Sequence, residues 1–258
     1  MPPGPSRLLP LSADVQVIST RLRSLGDTTA AVVVDGDSIV VRGGGPLPAP
    51  ASFFVKNGRF SIRPVLCGAL AHTRSVVARP TRRLPPCGAQ YETLASNLSV
   101  NESTGQPGTT ILPDPSFASY PSTTADDADQ PSTTVLLPAG GEQQYPRFVL
   151  GPAQMATSVI ASAQAQFDRV VNAWTVDATL TPSGAVQFDR AAGADFHQYM
   201  AFDMDGVVLS APLIQPNQSV FTSFGGKMEI TGNFTRSGAR QLAALLESGP
   251  LPAPLLAR

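Results

Sequence analysis

Proline and glycine decide where this chain can build regular structure. Proline lacks a backbone N–H and glycine loses extra backbone entropy on folding, so clusters of the two interrupt ladders and helices. The 25 prolines and 22 glycines among 258 residues are concentrated in the first half and at both ends. Much of residues 67–147 is therefore expected to be irregular. Within it, "NESTGQPGTTILPDPSFASYPSTTADDADQPSTT" is polar and proline-punctuated, the signature of a flexible, partly disordered insertion. Its aspartates Asp126, Asp127 and Asp129 lack the glycine and the distant glutamate of a calcium loop and read as a solvated acidic run.

On either side of that span the periodicities are clear. Leu11, Val15, Ile18, Leu22 and Leu25 recur at helical spacing, with Ser12 as a cap and Gly26 as a stop. "AAVVVDGDSIVV" then predicts a hairpin across Asp35-Gly36, and "SFFVKNGRFSIRPV" a second one across Asn57-Gly58, with Pro64 restricting how its last strand pairs. After the insertion, Trp174, Val176, Ala178 and Leu180 alternate on one strand face. Thr181-Pro182 opens a helix carrying Ala185, Val186, Phe188 and Ala192. "YMAFDM", the turn "DG" and "VVLSAP" form another hairpin, "KMEITG" a further strand, and Thr235 to Gly249 a final helix with Leu242, Leu245 and Leu246 inward. The class expected is α+β: two units of mainly antiparallel sheet, helices packed on one side, separated by a long Pro/Gly-rich irregular insertion.

Composition excludes several functions. The net charge is −1, and the one local basic group, Arg79, Arg82 and Arg83, sits among prolines, so no nucleic-acid partner is expected. No stretch reaches the roughly 20 apolar residues that span a bilayer. Cys67 and Cys87 have no zinc-site spacing, and His72 stands alone beside them. The two thiols are either free or joined in a disulfide, which requires an oxidising compartment. "RGGGP" lacks the Lys-Ser/Thr pair and following helix of a phosphate loop. No cofactor or metal is expected.

One motif carries possible chemistry. "FDMDG" after an apolar strand resembles the nucleophile motif of haloacid-dehalogenase-type phosphatases, in which Asp203 would attack phosphorus, Asp205 would serve as acid/base and magnesium would sit between them. That chemistry needs a parallel sheet beyond the motif, with a lysine and an acidic pair. Only Lys227, Glu229 and Glu247 follow, and Val207 stands where those enzymes usually carry threonine. No catalytic residue is therefore assigned.

The order of short motifs in "DMDGVVLSAPLI" and "KMEITGNFTRSGARQLAALLESGPLPAPL" resembles the first extracytoplasmic domain of SecD, the membrane-embedded accessory subunit of the bacterial protein-export translocase. The residues that carry the resemblance are Asp205-Gly206, Ser210-Ala211-Pro212, Ile230-Thr231-Gly232, Phe234-Thr235, Leu246, Gly249 and Leu251-Pro252. "WTVDATLTPSGAVQFDRA" and "RFVLGP" are similar to preceding family segments, and "VISTRLRSLG", "GDSIVV" and "FSIRPV" more loosely to its base. The proline and glycine content and the Arg-Pro-Val phrase look closest to actinobacterial members. Arg236, Ser237 and Gly238 depart from the acidic residues usual at the start of the last helix, and the family's transmembrane helices and returning strand do not follow the Leu-Pro phrase.

The resemblance implies a base-like portion at 1–66, the insertion at 67–144 and a head-like domain at 145–258. It also implies a non-enzymatic region on the extracytoplasmic side of the cell membrane. That region would contact unfolded preprotein during proton-gradient-assisted export, with SecF and the SecYEG channel as partners through transmembrane parts. Candidate contacts are Phe221 and Phe224 and the strand edges near 207–211 and 227–231. A standalone envelope binding or structural protein is the alternative, and the phosphatase a more distant one.

Overall fold

The computed structural model describes residues 8–43, 45–71, 84–89, 99–101, 106–108, 113–120, 124, 128–140, 145–170 and 172–257. Arg79, Arg82, Arg83, His72, Asp126 and Asp127 lie outside these residues. The elements in chain order are α1 (Leu8–Ser24), β1 (Ala31–Asp35), β2 (Ser38–Arg42), α2 (Ala51–Phe54), β3 (Phe60–Ala69), β4 (Ser99–Asn101), β5 (Gln106–Gly108) and β6 (Pro113–Asp114). They continue with β7 (Val135–Pro138), β8 (Arg147–Leu150), β9 (Met155–Ala156), β10 (Ile160–Asp168), β11 (Ala173–Leu180), α3 (Pro182–Ala194), β12 (Met200–Met204), β13 (Val207–Ser210), β14 (Lys227–Phe234) and α4 (Arg236–Ser248).

Two sheets carry the architecture. A seven-stranded sheet runs β13-β12-β3-β8-β7, with β6 and β9 also paired to β3; a three-stranded sheet runs β10-β11-β14. All these pairings are antiparallel except β3 with β6. Helix α4 lies on the smaller sheet and α1 lies on α4. The largest apolar cluster joins Ile18 and Leu22 of α1, Phe60 and Ile62 of β3, Val176 of β11 and Leu245 of α4. Segments far apart in sequence therefore share one core, as a mixed α+β layer packing requires.

Local signals placed most elements. Helix α1 ends where Gly26 takes φ +97° and the N–H of Asp27 donates to the carbonyl of Leu22, a glycine C-cap. Thr181 and Thr235 cap α3 and α4 by accepting the N–H of Gly184 and Gly238. On α3, Phe188, Ala191 and Ala192 face inward, but Val186 is 61% exposed, so the apolar stripe is narrower than its sequence implies.

Two expectations need correction. The first hairpin pairs Asp35 with Ser38, so its turn is Gly36-Asp37, one residue later than expected. Asn57-Gly58 does not connect two strands: Ala51–Phe54 is a short helix, because Phe53 and Phe54 pack edge to face inside the core and a strand would expose one of them. Pro64 limits the pairing of β3 on one side only, and the strand runs on to Ala69. The carbonyl of Pro64 accepts from Gly151, so its missing donor faces the β8 side, where that ladder begins only at Val65.

Within the 67–144 span, Val135, Leu136 and Leu137 of β7 and Phe117 are at most 1% exposed. Cys67 and Cys87 are joined by a disulfide, buried in a cluster with Phe117, Leu136 and Val149. These residues bring ordered chain from the proline-rich span onto the edge of the larger sheet.

Candidate functional site

Asp205-Gly206 is a tight turn and also a fastener. Both residues have positive φ, +50° and +74°, and Met204 pairs with Val207, the geometry of a two-residue hairpin whose twist matches its strands. The Asp205 carboxylate accepts the N–H groups of Gly58 (3.0 Å) and Arg59 (2.8 Å), tying the hairpin to the Asn57-Gly58 turn. From below, the fully buried guanidinium of Arg21 donates to the carbonyls of Phe54, Lys56, Asn57 and Gly249. Burial pulls the Arg21 pKa down to about 10, against the opposing charges of Asp205 and Asp14. The N–H of Leu251 closes the joint on the carbonyl of Asn57.

The remaining motif residues are divided between core and surface. Ile230 is fully buried and Ser210 is 6% exposed. The N–H of Met200 donates to the carbonyl of Pro212. A side chain at Gly232 would meet the Phe234 ring at 2.9 Å. Ala211 packs against the Val65–Phe148 cluster, while Thr231 and Pro252 are exposed.

Asp203 sits elsewhere. It is 2% exposed on β12, between antiparallel neighbours β3 and β13. Its Oδ2 accepts from the Ser61 hydroxyl at 2.6 Å and lies 3.5 Å from Nε of Arg63. Arg63 is itself engaged by Asp129 at 2.8 Å and by the carbonyls of Thr133 and Gly151 at 3.1 Å, and Arg59 holds the second Asp129 oxygen at 2.7 Å. Burial, with this partial compensation, pushes the Asp203 pKa up to about 6. The phosphatase reading fails on this geometry. The strand is antiparallel on both sides, Asp205 is spent on backbone donors, and Asp203 faces arginines. Asp129, expected in a solvated run, is 2% exposed because both arginines draw it inward.

A concave surface lies beside the smaller sheet. The groove has a volume of about 480 Å³; Asp177, Lys227 and Glu229 on the sheet and Ile214, Gln215 and Phe224 on the connecting segments line it. Strand β14 pairs on one side only, with β11, among the described residues. Phe224 packs tilted against Phe188 of α3, ring centroids 5.0 Å apart, Phe221 lies 6.2 Å from both Phe196 and Phe224, and both are half-buried. The Asp189 carboxylate fixes their loop through the Phe224 N–H at 2.9 Å and the Ser223 hydroxyl. Strand β13 is less open than β14, since Gly140 donates to the carbonyl of Val208. Burial, then Asp177 and Asp168, push the Glu229 carboxyl upward. Sequence reasoning missed the groove and the Arg63 cluster; an arginine inside the strand phrase "SIRPV" was the only local trace of the latter.

The fold is thus an antiparallel two-sheet α+β arrangement with an open groove, in which Asp205 is held by backbone donors and Asp203 by Ser61 and Arg63. Residues 134–253 match the family described as the SecDF P1 head subdomain. That stretch is thus similar to a SecD/SecDF-type head. It is 40% identical over 101 residues to protein translocase subunit SecD of Syntrophobacter fumaroxidans, covering 39% of this chain and 18% of that protein. With SecD of Magnetococcus marinus the identity is 34% over 117 residues, 45% of this chain and 21% of the relative. The matches thus span about a fifth of these relatives' length.

Solved SecDF structures share the fold. One, described as a membrane component that enhances protein export, superposes with TM-score 0.56 at 21% identity over 99% of this chain and 93% of its own. Another, in the super-membrane-facing form, gives 0.58 at 22% identity over 97% of this chain and 27% of its own.

Proposed function

We propose that this chain is the extracytoplasmic P1-type region of a SecD-type subunit and that it contacts unfolded preprotein during proton-gradient-assisted export, with SecF and SecYEG as membrane partners. The observation that carries the reading is the open groove beside the one-sided strand β14, walled by Phe224. An extended chain offers the backbone donors and acceptors that a sheet edge lacks, and apolar side chains that an aromatic wall takes up. The disulfide suits an oxidising compartment. No helix among the described residues is long and apolar enough to cross a membrane. The boundaries 1–66, 67–144 and 145–258 are kept as the proposed base-like, insertion and head-like spans, with Phe221 and Phe224 as proposed contacts. An actinobacterial source is part of the proposal and rests on the proline and glycine content and the Arg-Pro-Val phrase.

A photocrosslinker placed at Phe221, Lys227 or Glu229 in a membrane-restored SecD tests this. Crosslinks to a stalled translocating chain are expected there and not at Gln16, on exposed α1 surface. Equal labelling at all four positions, or none, overturns the reading.

A further inference from the structure

Most of the charged side chains in this fold lie on its surface, but four converge where three distant segments meet. Arg59 and Arg63 come from the start of the fold, Asp129 from the proline-rich span and Asp203 from β12, 142 positions after Ser61. Arg63, Asp129 and the Asp203 side chain are at most 3% exposed. The pairing within the cluster is unequal. Asp129 takes a direct bond from each arginine, while Asp203 has only the Ser61 hydroxyl and the distant Nε of Arg63, which also donates to Ser61 Oγ at 3.2 Å. Arg63, the nearest positive partner of Asp203, is thus already committed to Asp129, and Arg59 acts on Asp203 only from farther off.

The other elements packed against Asp203 bring no compensating charge. Strand β13 contributes Val207 to Ser210 and β9 contributes Met155 and Ala156, none titratable. Asp205, two residues on, turns its carboxylate to the N–H groups of Gly58 and Arg59. A buried carboxylate with half a partner is costly when ionised, and a proton removes that cost.

We propose that the Arg59–Arg63–Asp129–Asp203 cluster is a proton-responsive seam: a proton on Asp203 tightens β12 against β3, and its loss loosens the β12–β13 hairpin. The direction follows from linkage. The folded state holds the Asp203 proton up to about pH 6, above the ordinary 3.8, so the favourable contribution is complete below the unfolded value and is lost as pH rises through about 6. The seam reaches the groove, because Phe202 beside Asp203 and the Pro212–Gln215 segment after β13 both line it. Mildly acidic and neutral surroundings therefore present two stiffnesses of the same wall.

Carboxyl-carbon NMR titration of the whole chain, with Asp203 assigned through its backbone, reads the proton directly. A midpoint close to pH 6 is expected. Asp129→Asn frees Arg63 and removes a like charge, moving the midpoint down; Ser61→Ala removes the stabilising donor and moves it up. Amide protection factors of residues 201–208, that is, exchange corrected for its intrinsic base-catalysed rate, are expected to fall in the wild type but not in Asp203→Asn as pH rises from about 5 to about 7. A midpoint at or below about 4, a midpoint indifferent to both neighbouring substitutions, or the same exchange response in Asp203→Asn would each overturn the proposal. The two neighbouring variants keep the test open should Asp203→Asn fail to fold.

Discussion

Individual side chains hold this molecule together at points where backbone groups would otherwise stay unpaired. Arg21 donates to four carbonyls from two segments, 54–57 and Gly249. Arg21→Met keeps the apolar stem but strips the donor from the carbonyls of Phe54 and Lys56, while Asn57 keeps the Leu251 N–H and Gly249 the Ser248 hydroxyl. With each buried acceptor left unpaired costing about 1–3 kcal/mol, a loss of about 2 kcal/mol or more is expected in urea unfolding. Gly58 is equally constrained: it has φ +78°, and a Cβ would stand 2.7 Å from the Arg21 guanidinium and 3.1 Å from the Gly249 carbonyl. Gly58→Ala is expected to cost about 2 kcal/mol or more, since strain and collision add. Glu229 gives a pH signature. Its folded-state pKa is raised by burial, then by Asp177 and Asp168, so its favourable contribution is present below its ordinary pKa and lost as pH rises above it. Glu229→Gln is expected to flatten the rise-and-fall of thermal midpoint across the acid range and to raise the midpoint at pH 7, read by calorimetry.

At the level of elements, short-range chemistry starts and stops each piece. Thr235 accepts the Gly238 N–H at 3.0 Å without help from acidic residues in the first turn of α4. Thr235→Ala should therefore destabilise by about 1 kcal/mol, the usual value of a lost cap, measured by the shift in denaturation midpoint. The β12–β13 hairpin has a second demand. Its turn must suit the strands and also reach the Asn57-Gly58 turn through Asp205. Asp205→Asn keeps the turn preference but weakens a charge-assisted pair of bonds, so a loss of about 1–2 kcal/mol is expected. These caps and turns were legible in the sequence because each is decided within four residues. Helix α2 was not: Ala51–Phe54 is too short for a period, and only the core waiting for Phe53 and Phe54 selects it.

Across the whole molecule, the proline-rich span does more than connect. The disulfide between Cys67 and Cys87, 20 positions apart, pins it to the end of β3, while Asp129 and β7 lock it onto the larger sheet. Closing such a loop removes unfolded-chain entropy equivalent to about 3 kcal/mol. Reduction is expected to lower the urea midpoint correspondingly and to expose the cluster around Phe117 and Leu136 to amide exchange first. Unchanged midpoints with and without reductant would show that the span contributes nothing to global stability.

By itself the sequence determined the α+β class, the capped helices α3 and α4, the Asp205-Gly206 hairpin and the motif order of an export-subunit domain, because all are written in neighbouring residues. Only the tertiary structure decided that Asp203 and Asp205 face different partners, that Arg63 draws Asp129 out of solvent, and which residues wall the groove. Those outcomes depend on groups up to 147 positions apart meeting in a low-dielectric interior. There the cost of leaving a charge or a carbonyl unpaired selects the arrangement, and no local pattern along the chain records that cost.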